Sequence, residues 1–338
     1  MPNPFLMDEP RQTGNPSKES EPDNLLRELT AVPRMWDGWI RQMRPDLSQH
    51  RAAISTEVPS HQLVEFEPTG AGRLVKTLTV FLSNRECPWH CLMCDLWRNT
   101  SSKSIPSGSI PAQLRHALDS DRDADFRHLK LYNAGSFFDA GAIPVSEYGA
   151  IATHCRSFKR VIVESHPRLI GTRTDLLQEQ LGAVELEVAM GLETVHPRIL
   201  SLLNKGMDTD DFRRAADRLR GRGVRIRAFI LVKPPFLTDE SEALEWTCRT
   251  LDFAWEAGVD VASLIPTRAG NGAMEELARR GLFSPPQWST VERAFRYGIE
   301  SHKGVVLMDL WNLSTEDSPM SLFSRLSEMN RQQAWIAQ

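Results

Sequence analysis

No stretch of this 338-residue sequence approaches the roughly 18 consecutive apolar residues that a membrane-spanning helix needs. Its opening, Met1-Pro-Asn-Pro-Phe-Leu-Met-Asp-Glu-Pro10, has neither the basic nor the apolar region of a signal peptide, so a cytoplasmic protein with no membrane partner is expected. Positive charge is in short supply as well. A formal net charge of −4 provides no global attraction to nucleic acid, and any contact with RNA would need a local basic patch. Cysteine is scarce: of five, Cys87, Cys91 and Cys94 fall within eight positions while Cys155 and Cys248 stand alone. That distribution suits metal ligation in a reducing compartment better than a disulfide framework. What remains, 41% hydrophobic and 25% charged, is ordinary globular material, long enough for one barrel-sized domain or two smaller ones.

Residues 1–25 are rich in Pro, Asn, Ser, Glu and Asp and read as a disordered arm. Residues 26–73 read as an N-terminal extension, and between Asn24 and about Arg51 Leu25, Leu26, Leu29, Val32, Met35, Trp36, Trp39 and Ile40 suit a short helix interrupted by Pro33 and Pro45. From 74 to 289 apolar, β-branched runs alternate with helical stretches. Strands are expected at 78–82, 128–132, 160–163, 184–188, 224–232 and 259–265. Helices are expected at 111–120, 144–155, 197–204, 210–222 and 239–257, the last two ending at Gly223 and Gly258. Such alternation predicts an α/β fold, a partial (βα)6 TIM-like barrel with its site at the carboxyl ends of the strands. Residues 290–338 read as a C-terminal helical extension without a further cysteine cluster or an evident tRNA-binding appendage.

The segment Asn84-Arg-Glu-Cys-Pro-Trp-His-Cys-Leu-Met-Cys-Asp95 directly follows the first expected strand. Three thiolates on one short loop can hold three corners of a cubane iron–sulfur cluster and leave one iron open for chemistry. Two other readings compete. A zinc site would add His90 to the three cysteines, although structural zinc usually gathers paired ligands from two knuckles and no second C-x2-C or H-x3-H follows. Three buried thiols without metal would sit awkwardly in a loop carrying Arg85, Glu86, His90 and Asp95.

C-x3-C-x2-C after the first strand of a partial barrel resembles the radical S-adenosylmethionine (SAM) superfamily. Within it, the stretch from Leu78 to Ser289 looks most like the archaeosine synthase radical subunit family, a relative of the elongator acetyltransferase's radical SAM domain. The matching pieces are Leu131-Tyr-Asn-Ala-Gly-Ser-Phe-Phe-Asp139, Val163-Glu-Ser-His-Pro167, Glu187-Val-Ala-Met-Gly-Leu-Glu-Thr194, Leu203-Asn-Lys-Gly206 and Leu231-Val-Lys-Pro-Pro-Phe-Leu-Thr238. The chain departs from the family in having Asn133-Ala-Gly-Ser136 where Gly-Gly-Glu is usual, and Met93 where an aromatic residue precedes the last cysteine.

The resemblance implies a [4Fe-4S] cluster on Cys87, Cys91 and Cys94, with SAM on the open iron. An electron from a donor such as flavodoxin or ferredoxin would cleave SAM to a 5′-deoxyadenosyl radical that abstracts hydrogen from a modified nucleoside in tRNA. SAM contacts are then expected from Asn133, Ala134, Gly135 and Ser136 to its ammonium, and from Glu164, Glu187 and Glu193 to its ribose hydroxyls. Lys205 is expected at its carboxylate, and Lys233 at SAM or substrate. The plainer alternatives are a strand-to-helix turn at 133–136, arginine salt bridges for the glutamates and a surface position for Lys205. Thr238 is expected to cap the next helix. The basic run Arg213 to Arg227 reads as a solvated helix face before it reads as an RNA site. A non-catalytic iron–sulfur or zinc module and a nucleic-acid-binding scaffold are the alternatives to an enzyme.

Overall fold

The computed structural model describes residues 31–45, 54–69, 73–120, 125–311 and 320–336; the arm expected at 1–25 lies outside them. The first element is α1 (Pro33–Met43), followed by β1 (His61–Pro68), β2 (Leu74–Phe81), α2 (Ser109–Ser120), β3 (His128–Tyr132), α3 (Tyr148–Cys155), β4 (Arg160–Ser165), α4 (Thr172–Leu181) and β5 (Glu185–Glu193). Then come α5 (Pro197–Leu202), α6 (Thr209–Gly221), β6 (Arg225–Val232), α7 (Glu240–Glu256), β7 (Val261–Pro266), α8 (Ala273–Arg279), α9 (Trp288–Glu300), β8 (Val305–Met308) and α10 (Met320–Gln332).

The eight strands form one curled sheet in chain order. β2 to β8 are parallel, which is the partial βα barrel expected, and their inner faces surround a common interior. Two strands lie outside that expectation. β1 pairs antiparallel with β2, from His61 opposite Phe81 to Pro68 opposite Leu74, and β8 extends the sheet past β7. The sheet therefore runs beyond 74–289 at both ends. Pro33 opens α1 rather than interrupting it, since the first turn of a helix has no use for its missing N–H. Trp36 and Ile40 bury that helix against Leu92 of the cysteine loop and against Met274 and Leu277 of α8.

Alternation along the strands sorts side chains into an outer apolar shell and a layered interior. Val188, Met190 and Leu192 of β5 and Ile226, Ala228 and Ile230 of β6 pack outward with the helices. At the barrel's foot the inward residues are charged. Arg227 donates from Nη1 and Nη2 to the two oxygens of Glu67, both at 2.9 Å, and from Nε to Glu187 Oε1 at 2.8 Å. Lys130 Nζ donates to Glu65 Oε1 at 2.5 Å and also to Glu67. Burial raises the Glu67 carboxyl, but the charges of Arg227 and Lys130 outweigh it and hold the group well below the usual carboxylate range. One inward step up, Tyr132 follows Lys130 and Phe229 follows Arg227, so a layer of rings covers the charged one.

Helix ends follow local chemistry. Asp208 accepts from Asp211 N at 2.8 Å while the Asp211 side chain accepts from Asp208 N at 3.2 Å, a reciprocal cap on α6. The cap of α7 is Asp239, which accepts from Glu242 N at 2.8 Å, one residue beyond the expected Thr238. The basic run on α6 and β6 is largely occupied: Arg218 and Arg222 both meet Asp175 Oδ2, at 2.6 and 2.8 Å, and Arg214 meets Asp211 at 2.6 Å. α10 packs against both β1 and β8, the two edges of the sheet. From its end, Asn330 accepts from Met308 N (2.7 Å) and donates to Met308 O (2.9 Å), and Gln333 does the same for Val306 (2.8 and 2.7 Å).

Candidate active site

The cysteine loop leaves the carboxyl end of β2 and is fastened from three sides. Leu92 N donates to Leu203 O at 2.9 Å, and Asn204 Nδ2 donates to His90 O at 2.9 Å. From the loop after β7, Asn271 Nδ2 donates to Leu92 O at 2.6 Å and Cys94 O at 3.3 Å, while its Oδ1 accepts from Met274 N at 2.9 Å and caps α8. Within the loop, Cys94 N donates to Cys91 O at 3.1 Å. The Trp89 ring lies flat on the His166 ring, with centroids 3.9 Å apart and planes within 4°. His166 Nε2 in turn reaches Lys205 O at 2.9 Å.

Cys87, Cys91 and Cys94 share the wall of a cavity of about 360 Å³ at the carboxyl ends of the strands. Facing them are Ala134, Gly135, Ser136, Glu164, Glu193 and Lys205. Burial pushes all three thiols up to about 12, so as bare side chains they keep their protons. Gly135 sits close against the loop: a Cβ there would stand 3.2 Å from the Cβ of Cys87, tighter than ordinary contact, so the turn after β3 closes tightly on the cysteine loop. Glu164 braces that turn, accepting from Asn133 N at 2.6 Å and Gly135 N at 3.4 Å. Burial raises its carboxyl to about 7 against the pull of those N–H donors. Lys205 Nζ donates to Glu193 Oε1 at 2.7 Å. The pair lies over Gly191, where any side chain would collide with both. Burial disfavours the Lys205 charge, yet Glu193, followed by Cys91, holds its pKa above the usual range. Glu193 itself sits at φ 64°, beside a register shift in β5.

Three expected contacts lie elsewhere. Glu187 shares the inner face of β5 with Glu193 but stands near the strand's start, because β5 runs on to Glu193, well past the expected end at 188; there it meets Arg227, Arg160 and Arg225. Lys233 follows the inward Leu231, but φ 56° at the end of β6 breaks the alternation. Its Nζ donates to Glu240, to Ser284 Oγ at 2.8 Å and to Pro285 O at 3.4 Å, away from the cavity. Asn133 is wholly buried beneath the turn, and both polar atoms of its amide have no hydrogen-bond partner among the described residues.

The structure also adds residues that the sequence reading did not single out for the site. Trp89, His166, Asn271, Phe81, Tyr132, Phe229, Arg268 and Asp309 line the same cavity. His166 and Tyr132 lie in matching segments and Trp89 in the cysteine loop, which was the available signal; Phe81, Phe229 and the β7–β8 residues had none. Cys87, Cys91 and Cys94 line one cavity together with the 134–136 turn, Glu164 and the Glu193–Lys205 pair. Among the described residues, no three His, Cys, Asp or Glu side chains converge as ligands of a metal ion, and no helix is long and apolar enough to cross a membrane.

No family model matches the chain. It is 28% identical over 250 residues to archaeosine synthase subunit beta of Methanosarcina acetivorans, covering 70% of this chain and 71% of that protein. An uncharacterized protein of Methanocaldococcus jannaschii is 25% identical over 265 residues, covering 74% and 72% of the two chains. Among solved structures, methylornithine synthase PylB has the same fold, with a TM-score of 0.50 at 12% identity over 92% of this chain and 80% of that one. The resemblance read from the sequence, to archaeosine synthase, is borne out by the M. acetivorans relative.

Proposed function

From its place among relatives of archaeosine synthase subunit beta, we propose that this protein is a radical SAM enzyme acting on a modified nucleoside in tRNA. The observation that carries the reading is the convergence on one cavity of Cys87, Cys91 and Cys94 with the 134–136 turn, Glu164, Glu193 and Lys205. The donor set fits a [4Fe-4S] cluster with three protein ligands: the thiols come from a single braced loop, and the buried Lys205 cation offsets thiolate charge. Such a cluster and SAM, when bound, supply the reductive cleavage that yields methionine and a hydrogen-abstracting 5′-deoxyadenosyl radical.

The chain's own groups bind and orient. Carbonyls of Ala134 and Gly135 and the Ser136 hydroxyl suit the SAM ammonium. Glu164, fixed by the backbone N–H groups of the turn, presents its carboxyl to ribose hydroxyls. Lys205 offers its cation to the SAM carboxylate, with Glu193 holding it in place until then. A flavodoxin- or ferredoxin-like donor supplies the electron. The tRNA substrate rests on the name of the M. acetivorans relative.

Anaerobic reconstitution followed by dithionite and SAM should give iron–sulfur absorbance and 5′-deoxyadenosine. Cys91→Ala should abolish both, while Cys155→Ala and Cys248→Ala, in the outer core, should leave both. A fully loaded cluster that yields no 5′-deoxyadenosine rejects the enzyme reading. An unchanged nucleoside mass profile of tRNA from a deletion strain rejects the substrate.

A further inference from the structure

Helix α1 of the N-terminal extension meets the cysteine loop along a second hollow of about 400 Å³, lined by Gly38, Arg41, Gln42, Arg44, Glu86 and His90. Among the described residues it shares none with the cavity, so the loop is faced from two sides. Trp36 and Ile40 sink α1 against Leu92, and Trp36 Nε1 donates to Leu202 O at 2.9 Å. Asp37 Oδ1 lies 2.9 Å from His90 Nδ1 and accepts from Asn204 Nδ2 at 3.1 Å. These contacts fix the helix end that carries Arg44.

The Arg44 guanidinium joins the two ends of the loop. Its Nη1 donates to Glu86 Oε1 at 2.5 Å, next to Cys87, and its Cζ stands 5.3 Å from the centre of the Trp97 ring, three residues past Cys94. Trp97 is buried, and the Arg44 side chain is only 8% exposed. Burial pushes the three thiols up, and two cations act against it: Lys205, on the cavity side, at Cys87 and Cys91, and Arg44 at Cys91 and Cys94. The thiols thus lie between two buried positive charges.

We propose that Arg44 sets the reduction potential of the metal centre, its guanidinium offsetting from the outer side of the loop the negative charge gained with an electron. The inference rests on the reading of the three thiols as ligands of a [4Fe-4S] cluster. The potential of such a cluster follows its net charge, the hydrogen bonds to its sulfurs and its exposure. A cation held out of water beside it favours the reduced state, because little solvent screens the attraction. Glu86, bound to the same guanidinium, works in the opposite direction. Arg44 touches neither substrate nor SAM in this reading; it acts through the cluster alone.

The test is a redox titration of the reconstituted full chain, followed by electron paramagnetic resonance in the absence of SAM. Arg44→Gln should make reduction about tenfold less favourable, a fall of about 59 mV for a one-electron couple. Glu86→Gln should raise the potential, although it breaks the same ion pair; damage to the loop would move both variants in one direction. Arg44→Lys, which keeps the charge, should stay within half of that fall from the wild-type value. An unchanged potential in Arg44→Gln, a lowered or unchanged one in Glu86→Gln, or a fall in Arg44→Lys as large as that in Arg44→Gln overturns the proposal. If Arg44→Gln takes up no cluster, Glu86→Gln decides by the sign of its shift. A wild-type chain that assembles no cluster overturns the proposal along with the metal centre. A loaded cluster that yields no 5′-deoxyadenosine rejects the enzyme reading alone and leaves the potentials standing.

Discussion

Glu164 is the residue whose ionisation the fold alters most usefully. Its carboxyl moves from 4.5 to about 7 through burial, so as pH rises the unfolded chain releases this proton first. Stability from this group is therefore complete below about 4.5, falls between there and about 7, and is level above. His166, pushed down to about 3 by burial and Lys205, and His128, pushed down to about 4 by burial and Arg160, act in the opposite sense, gaining stability as pH rises toward 6.5. The difference between wild type and Glu164→Gln isolates the carboxyl. Denaturant unfolding should show the variant without the decline across pH 4.5 to 7, and parallel curves for the two proteins would place Glu164 back in the ordinary range. Other glutamates show what a sequence can convey at this scale. Period-two alternation puts Glu187 and Glu193 on the same inner face, yet six residues of strand separate them by about 20 Å. Face is legible from the pattern; depth depends on where the strand starts. For Lys233 even the face was misleading, since a left-handed backbone at one residue redirects it.

At the scale of elements, the cysteine loop is shaped by its neighbours rather than by its own sequence. Asn271 joins it to α8 through one buried amide, and Gly272, at φ 89°, lies so close to Met43 O that a Cβ would collide with it. Asn271→Ala leaves the Leu92 and Cys94 carbonyls short of a donor, a loss of about 1–3 kcal/mol for buried groups. Amide exchange at Leu92 and Cys94 in the cluster-free chain should accelerate accordingly, and the variant should retain less iron after reconstitution. Unchanged exchange would mean that the loop holds itself. Nothing in the run from Arg268 to Gly272 announces this brace, because its partner lies nearly 180 residues away. β1 was hidden for a different reason. It points Glu65 and Glu67 into the barrel and leaves Val64 and Phe66 exposed at 44% and 58%, the reverse of the usual strand pattern. Only the presence of Lys130 and Arg227 inside makes that inversion stable.

On the scale of the whole molecule, the open sheet is finished by side chains. α10 lies across both edges, and the amides of Asn330 and Gln333 occupy the backbone groups of β8 that a ninth strand would take. The double variant Asn330→Ala with Gln333→Ala should uncover that edge and promote self-association, visible in sedimentation velocity as a concentration-dependent shift; a species unchanged at every concentration would show that helix packing alone protects it. The βα alternation made the six inner parallel strands legible from sequence, since each carries apolar residues at every second position. This closure was not, because it rests on two amides whose partners are chosen only once the chain has folded. The stacked interior has a last consequence for traffic. Among the described residues, charged side chains joined across the foot and the rings above them floor the cavity, which opens at the carboxyl ends of the strands. Molecules that share that opening must queue: the first to enter is shut in by the next, and they leave in the reverse order.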